Sequence, residues 1–104
     1  MARKIASFIS FVAITANAYS YTGYGIGMKS CGHWVQVRNQ GNFYDEAQWV
    51  LGYLTAAGYY QSIKLKTIDS AAVLTFMDNY CREKPLEEIE GGAQALVDAL
   101  VQKN

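Results

Sequence analysis

Proline occurs once in this 104-residue chain, at Pro85, histidine once, at His33, and cysteine twice, at Cys31 and Cys81. So little proline leaves long stretches free to be helical, and no stretch alternates apolar and polar residues for long enough to argue for a sheet. One histidine and two cysteines fall short of the four ligands of a structural zinc, and there is no Cys-x-x-Cys pair, so neither metal nor cofactor is expected. Charge of one sign is also missing, since nine Lys and Arg balance nine Asp and Glu. Nucleic-acid binding needs clustered basic residues, and none are clustered here. No internal repeat or low-complexity tract is present.

The longest apolar run lies at the start. Basic Arg3 and Lys4 precede an apolar stretch from Ile5 to Ala16, followed by Ala16-Asn17-Ala18, the three parts of a secretory signal cleaved after Ala18. Ala18-Tyr19-Ser20 offers a second cut after Ser20. The stretch is too short, and too interrupted by Ser7, Ser10 and Thr15, for a stable membrane anchor. The expected organisation is a signal peptide over 1–18, a flexible Tyr/Gly-rich leader over 19–27 and a helical domain over 28–104 in the periplasm or secreted. Without Arg3 and Lys4 the exported part carries seven basic against nine acidic side chains, a formal charge of minus two. Its roughly 85 residues are near the size where burial alone leaves thin stability. Export places Cys31 and Cys81 where disulfides persist, and one bridge between them is the simplest pairing.

Four helices are expected. The first runs from about Lys29 to Arg38, with Cys31, Trp34, Val35 and Arg38 on one side, and ends over Asn39 to Gly41. Asn42 is placed to cap the second, which reaches Tyr60 with Asp45 and Glu46 in its first turn. Phe43, Ala47, Val50, Leu51 and Leu54 form its core stripe, and Trp49, Tyr53, Ala56 and Tyr60 a second stripe. A helix so apolar is expected to be central, with Gly52 and Ala56 admitting a close neighbour. A polar connection over Gln61 to Thr67 leads to Asp69, which caps a third helix burying Ala72, Val73, Phe76, Met77 and Tyr80. Pro85 is expected to open the last helix, whose stripe is Leu86, Ile89, Ala93, Leu96, Val97 and Leu100. Gly91-Gly92 within it marks a close contact or a bend.

The candidate chemistry is sparse. Cys31 beside His33 could suggest a thiol catalyst, but a bonded cysteine supplies no thiolate. Glu83, Glu87, Glu88 and Glu90 crowd a helix start, where carboxylates are favoured electrostatically, and read as a solvated end rather than an acid–base pair. The chain is therefore expected not to be an enzyme. The expected core is Trp34, Trp49, Val50, Leu54, Phe76, Ile89 and Leu96. Tyrosines suit recognition surfaces because they pack while keeping a polar contact, so Tyr53, Tyr59 and Tyr60, with Lys66 of the connection, are the candidate partner-binding residues.

Two runs carry a resemblance: Trp49-Val50-Leu51-Gly52-Tyr53-Leu54, and Met77-Asp78-Asn79-Tyr80-Cys81-Arg82-Glu83-Lys84-Pro85-Leu86 before an alanine-rich last helix. The chain resembles the HdeA/HdeB-type periplasmic proteins. That resemblance implies a small four-helix domain whose disulfide joins the first helical region to the third. It also implies a stress-response chaperone, a homodimer at neutral pH that opens in acid and holds unfolded clients. The same build, with a late Tyr-Cys before a proline, is similar to the Tai-type immunity proteins, which block cell-wall amidase effectors. A structural subunit of an envelope complex is a third possibility. In each case the expected partner is another protein.

Overall fold

The computed structural model describes residues 22–102. The expected signal peptide, and Tyr19 to Tyr21 of the expected leader, lie outside the described residues. Within them are a 3-10 turn, Ile26–Met28, and four α-helices: α1 (Cys31–Gln40), α2 (Tyr44–Tyr60), α3 (Ser70–Glu83) and α4 (Ile89–Leu100). No strand is formed among the described residues, only two isolated bridges, Ser30 with Glu88 and Leu65 with Val101. The fold is all-α and closed by one disulfide, Cys31 to Cys81, with Cα atoms 4.7 Å apart.

Helix α1 starts where Ser30 Oγ accepts from the His33 amide, and it stops at Gly41, whose φ of 72° is left-handed. The Gly41 and Asn42 amides then donate to the Arg38 and Val37 carbonyls. The start of α2 differs from expectation: its first backbone bond, from the Ala47 amide, is accepted by the Phe43 carbonyl, so Phe43 and not Asn42 holds the cap position, with no side-chain bond to the helix. The Arg38 guanidinium lies 4.4 Å from the centre of the Phe43 ring, which fixes the corner by a cation–π contact. Asp69 caps α3 as expected, its Oδ1 accepting from the Ala72 amide at 2.9 Å.

The last helix begins later than its proline predicts. Residues 85–88 run beside the first turn of α1, where the Cys31 amide donates to the Glu87 carbonyl and the Gly32 amide to the Pro85 carbonyl. These carbonyls satisfy amides that a helix start leaves without intrahelical partners, and the Ile89 amide, which a helix opening at Pro85 would turn to the Pro85 carbonyl, donates instead to the Lys29 carbonyl. Glu88 is therefore the cap residue of α4 and Leu86, 94% exposed, is no part of its stripe. From Ile89 onward the expected pattern holds, with Ile89, Ala93, Leu96, Val97 and Leu100 buried.

The core joins Cys31 and Trp34 of α1, Val50 of α2, Val73, Met77 and Cys81 of α3, and the α4 stripe. Helices α3 and α4 approach closely at Gly92, where a Cβ would stand 2.6 Å from Met77 Cε and 2.9 Å from Tyr80 Cδ1. The Gly91-Gly92 pair thus marks a packing contact. Gly52 does the opposite of what was expected: a Cβ there would meet nothing within 4 Å. Helix α2 is not covered all round, and its apolar residues Ala56, Tyr59 and Tyr60 are exposed. Residues 22–28 pack onto α2: Gly27 is buried against the Trp49 ring, and Trp49 Nε1 donates to the Tyr24 carbonyl at 2.9 Å. The described end of the expected flexible leader is therefore part of the fold.

Candidate functional site

The uncovered side of α2 meets α4 in an open groove of about 790 Å³, lined by Tyr53, Ala56, Ala57, Tyr60, Gln61, Ile63 and Gln94. Its shape follows from residue size. Alanines at 56 and 57 leave a low floor, while Tyr53 and Tyr60, seven residues apart, stand about two turns apart on one face of α2. Trp49 stacks on Tyr53, with centroids 5.4 Å apart, and so links the residue 22–28 segment to the groove wall. Beyond the far end, the Tyr59 and Tyr60 rings meet edge to face at 4.7 Å. They are 76% and 80% exposed.

Gln94, from α4, lines the opposite side of the groove and is joined to a hydrogen-bonded polar run. Tyr53 Oη lies 2.7 Å from Gln94 Oε1 and 3.1 Å from Glu90 Oε2, and Gln94 Nε2 donates to Asp98 Oδ1 at 3.1 Å. Glu90, Gln94 and Asp98 are four residues apart on α4, so they share one face. Burial pushes the Glu90 carboxyl above its usual range. Burial, with the Asp98 charge added, raises the Tyr53 phenol. Among the four crowded glutamates, Glu83, Glu87 and Glu88 are exposed as a solvated helix end would be, but Glu90 is half-buried and reaches Tyr53.

Of the candidate binding residues, Tyr53 and Tyr60 line the groove, Tyr59 stands beside it, and Lys66 does not join them. Lys66 lies with Leu51, Leu54, Leu65 and Ile68 at a smaller cavity of about 260 Å³. Its backbone is held there, because the Lys66 amide donates to the Leu100 carbonyl and the Gln102 amide to the Lys64 carbonyl. Gln94, Ile63 and Glu90 were not anticipated. The polar i, i+4, i+8 series on an otherwise apolar helix was a signal that could have found Glu90 and Gln94; Ile63 left none, because it sits in a connection without periodicity. Of the expected core, Trp34, Val50, Ile89 and Leu96 are buried, whereas Trp49, Leu54 and Phe76 are half-buried against it.

Two polar clusters elsewhere tie helices together. Asp78 of α3 accepts from Trp34 Nε1 at 2.8 Å, and it accepts from Arg38 Nε at 2.9 Å and Nη2 at 2.8 Å, a bidentate pair. Burial pushes the Asp78 carboxyl up, but the hydrogen bonds from Arg38 and Trp34 and the charges of Arg38 and Arg82 outweigh it, so the group titrates below its ordinary range. On the other side of α1, His33 Nε2 lies 2.7 Å from Glu46 Oε2. Glu46, 5% exposed, is the one buried charged residue among those described. Cys31 is bonded to Cys81, so the neighbouring His33 has no thiol to activate. No group of three or more His, Cys, Asp or Glu is placed to hold a metal among the described residues, and no helix among them is long and apolar enough to cross a membrane.

Comparison with family models, with curated proteins and with solved structures yields no match to this chain.

Proposed function

We propose that this chain is an exported, non-enzymatic protein-binding domain of HdeA-like fold that acts by surface contact, with the groove between α2 and α4 as the contact surface. The observation that carries this reading is the pair Tyr59 and Tyr60, 76% and 80% exposed beside an apolar groove in a frame tied by a buried disulfide. Large aromatic side chains left in water at the edge of a concavity are the usual anchors of a protein interface. The signal-like start of the sequence and the bonded cysteine pair support an oxidising compartment.

Two tasks fit such a surface, and a separate observation favours each. The groove is already open in the folded domain, which favours a specific neutral-pH partner such as an amidase effector. The Asp78 carboxylate, which holds α1 to α3, loses its charge in acid, which favours an acid-stress chaperone that loosens and holds clients. A benzophenone side chain introduced at Tyr60 in the producing cell tests the reading and separates the tasks. A discrete cross-linked product at neutral pH is expected for a specific partner, and a spread of products confined to pH below about 4, where carboxylates protonate, for client holding. No product at either pH beyond that from the same probe at exposed Gln36 would overturn the proposal.

A further inference from the structure

The smaller cavity differs from the groove in having a charged residue in its lining. Val73 and Leu100 there are buried, and Leu51, Leu54, Leu65 and Ile68 are half-buried, so most of its surface is aliphatic. The remaining lining residues, Thr55, Thr67 and Lys66, are exposed, which gives an apolar hollow a polar rim. The one charge in that lining is positive. Among the described residues, ion pairs join His33 to Glu46 and Arg38 to Asp78, and none joins Lys66 to a carboxylate. Asp69, the acid nearest to Lys66 in sequence, is outside the lining, and its Oδ1 accepts from the Ala72 amide at the start of α3. The backbone holds Lys66 in place: its amide donates to the Leu100 carbonyl at 2.7 Å, and the Gln102 amide donates to the Lys64 carbonyl at 2.9 Å.

We propose that this cavity binds a small amphipathic anion, a medium-chain alkyl carboxylate. The alkyl chain lies on Leu51, Leu54, Leu65 and Ile68, where its methylenes leave water. The carboxylate stays at the rim, where the Lys66 ammonium and the Thr67 hydroxyl are donors for it. At about 260 Å³ the cavity is below the size of most small-molecule sites, about 300–1,000 Å³, which favours a short chain over a long-chain or ring-bearing lipid. A cation on the same chain meets the like charge of Lys66, and a neutral alcohol keeps the apolar contact but loses the ion pair. This site is separate from the groove between α2 and α4, so it stands or falls independently of the protein-binding reading.

The test titrates the oxidised exported protein at neutral pH with octanoate, octan-1-ol and octyltrimethylammonium, each below the concentration at which it aggregates. Binding is followed by the backbone amide resonances. Octanoate is expected to shift Leu54, Leu65, Lys66 and Thr67 saturably while Tyr60 of the groove stays unmoved. The alcohol should bind about threefold less tightly, the size of an exposed ion pair, and the cation more weakly still. Lys66→Gln, at an exposed position, should bring octanoate down to the level of the alcohol and leave the alcohol unchanged. Lys64→Gln makes the same change in net charge outside the lining and should weaken octanoate less. Equal binding of the anion and the cation, or an equal loss in the two lysine variants, would overturn the proposal. It would also fall if no saturable shift occurred at these four residues, if Tyr60 moved in their place, or if resonances shifted throughout the chain as in unfolding by an amphiphile.

Discussion

At the scale of single residues, Asp78 carries more than its sequence position suggests. It accepts three hydrogen bonds from α1, one of them from the indole of Trp34, which is fully buried. Asp78→Ala leaves that indole without its acceptor and the Arg38 guanidinium without its carboxylate, at a cost of about 2–3 kcal/mol. The folded carboxyl titrates below its ordinary value, so its contribution is complete above about pH 4, the unfolded value, and is lost as pH falls through the folded one. The penalty of Asp78→Ala in urea unfolding is therefore expected to be full at pH 7 and to shrink towards pH 2. Glu90 has the opposite sign. Burial raises its carboxyl, so its ionised form opposes folding at neutral pH and the opposition disappears on acidification. Acid thus removes one tie and relieves one strain, and it acts on the two at opposite ends of the usual carboxylate range.

At the scale of elements, two helix glycines predict opposite outcomes for the same substitution. Gly92 faces Met77 and Tyr80 across the α3–α4 contact, and an added methyl would press on both. Gly92→Ala should cost about 1–3 kcal/mol despite alanine's better helix propensity. Gly52 faces open space on α2, so Gly52→Ala should stabilise by about 0.5–1 kcal/mol. Thermal unfolding of the two variants side by side checks both signs. The helices themselves were legible in sequence: Asp69 capped where a short acceptor precedes an apolar period, and Ile89 to Leu100 buried at the expected spacing. The start of α4 was not legible. Pro85 suits a first helical position as well as it suits a turn, and only the amides of α1, distant in sequence, select the turn. The α2 cap falls one residue after Asn42, at Phe43, because the Ala47 amide reaches the Phe43 carbonyl.

At the scale of the whole molecule, the disulfide spans a sequence separation of 50 and both cysteines are fully buried. Closing a loop of that length stabilises by about 4 kcal/mol, against about 5–15 kcal/mol for a typical folded domain. The doubly substituted Cys31→Ala, Cys81→Ala protein is expected to lose a large share of its stability, seen as a lower urea midpoint and, near 37 °C, as weakened near-ultraviolet circular dichroism. The exposed tyrosines of α2 lie beyond this frame, so the groove is built on a domain whose rigidity depends on the α1–α3 bridge.

Local chemistry in the sequence was enough for helix count, the cysteine pairing and most of the α4 core, because capping and apolar period act within a few residues of themselves. Tyr53 and Tyr60 could be named as candidates from residue type alone. Which side of α2 stays uncovered, that Lys66 belongs elsewhere, and that Glu90 rather than its neighbours reaches Tyr53 were decided by tertiary structure. Each depends on which helix lies opposite, and an apolar stripe specifies that a face must be buried without specifying what buries it.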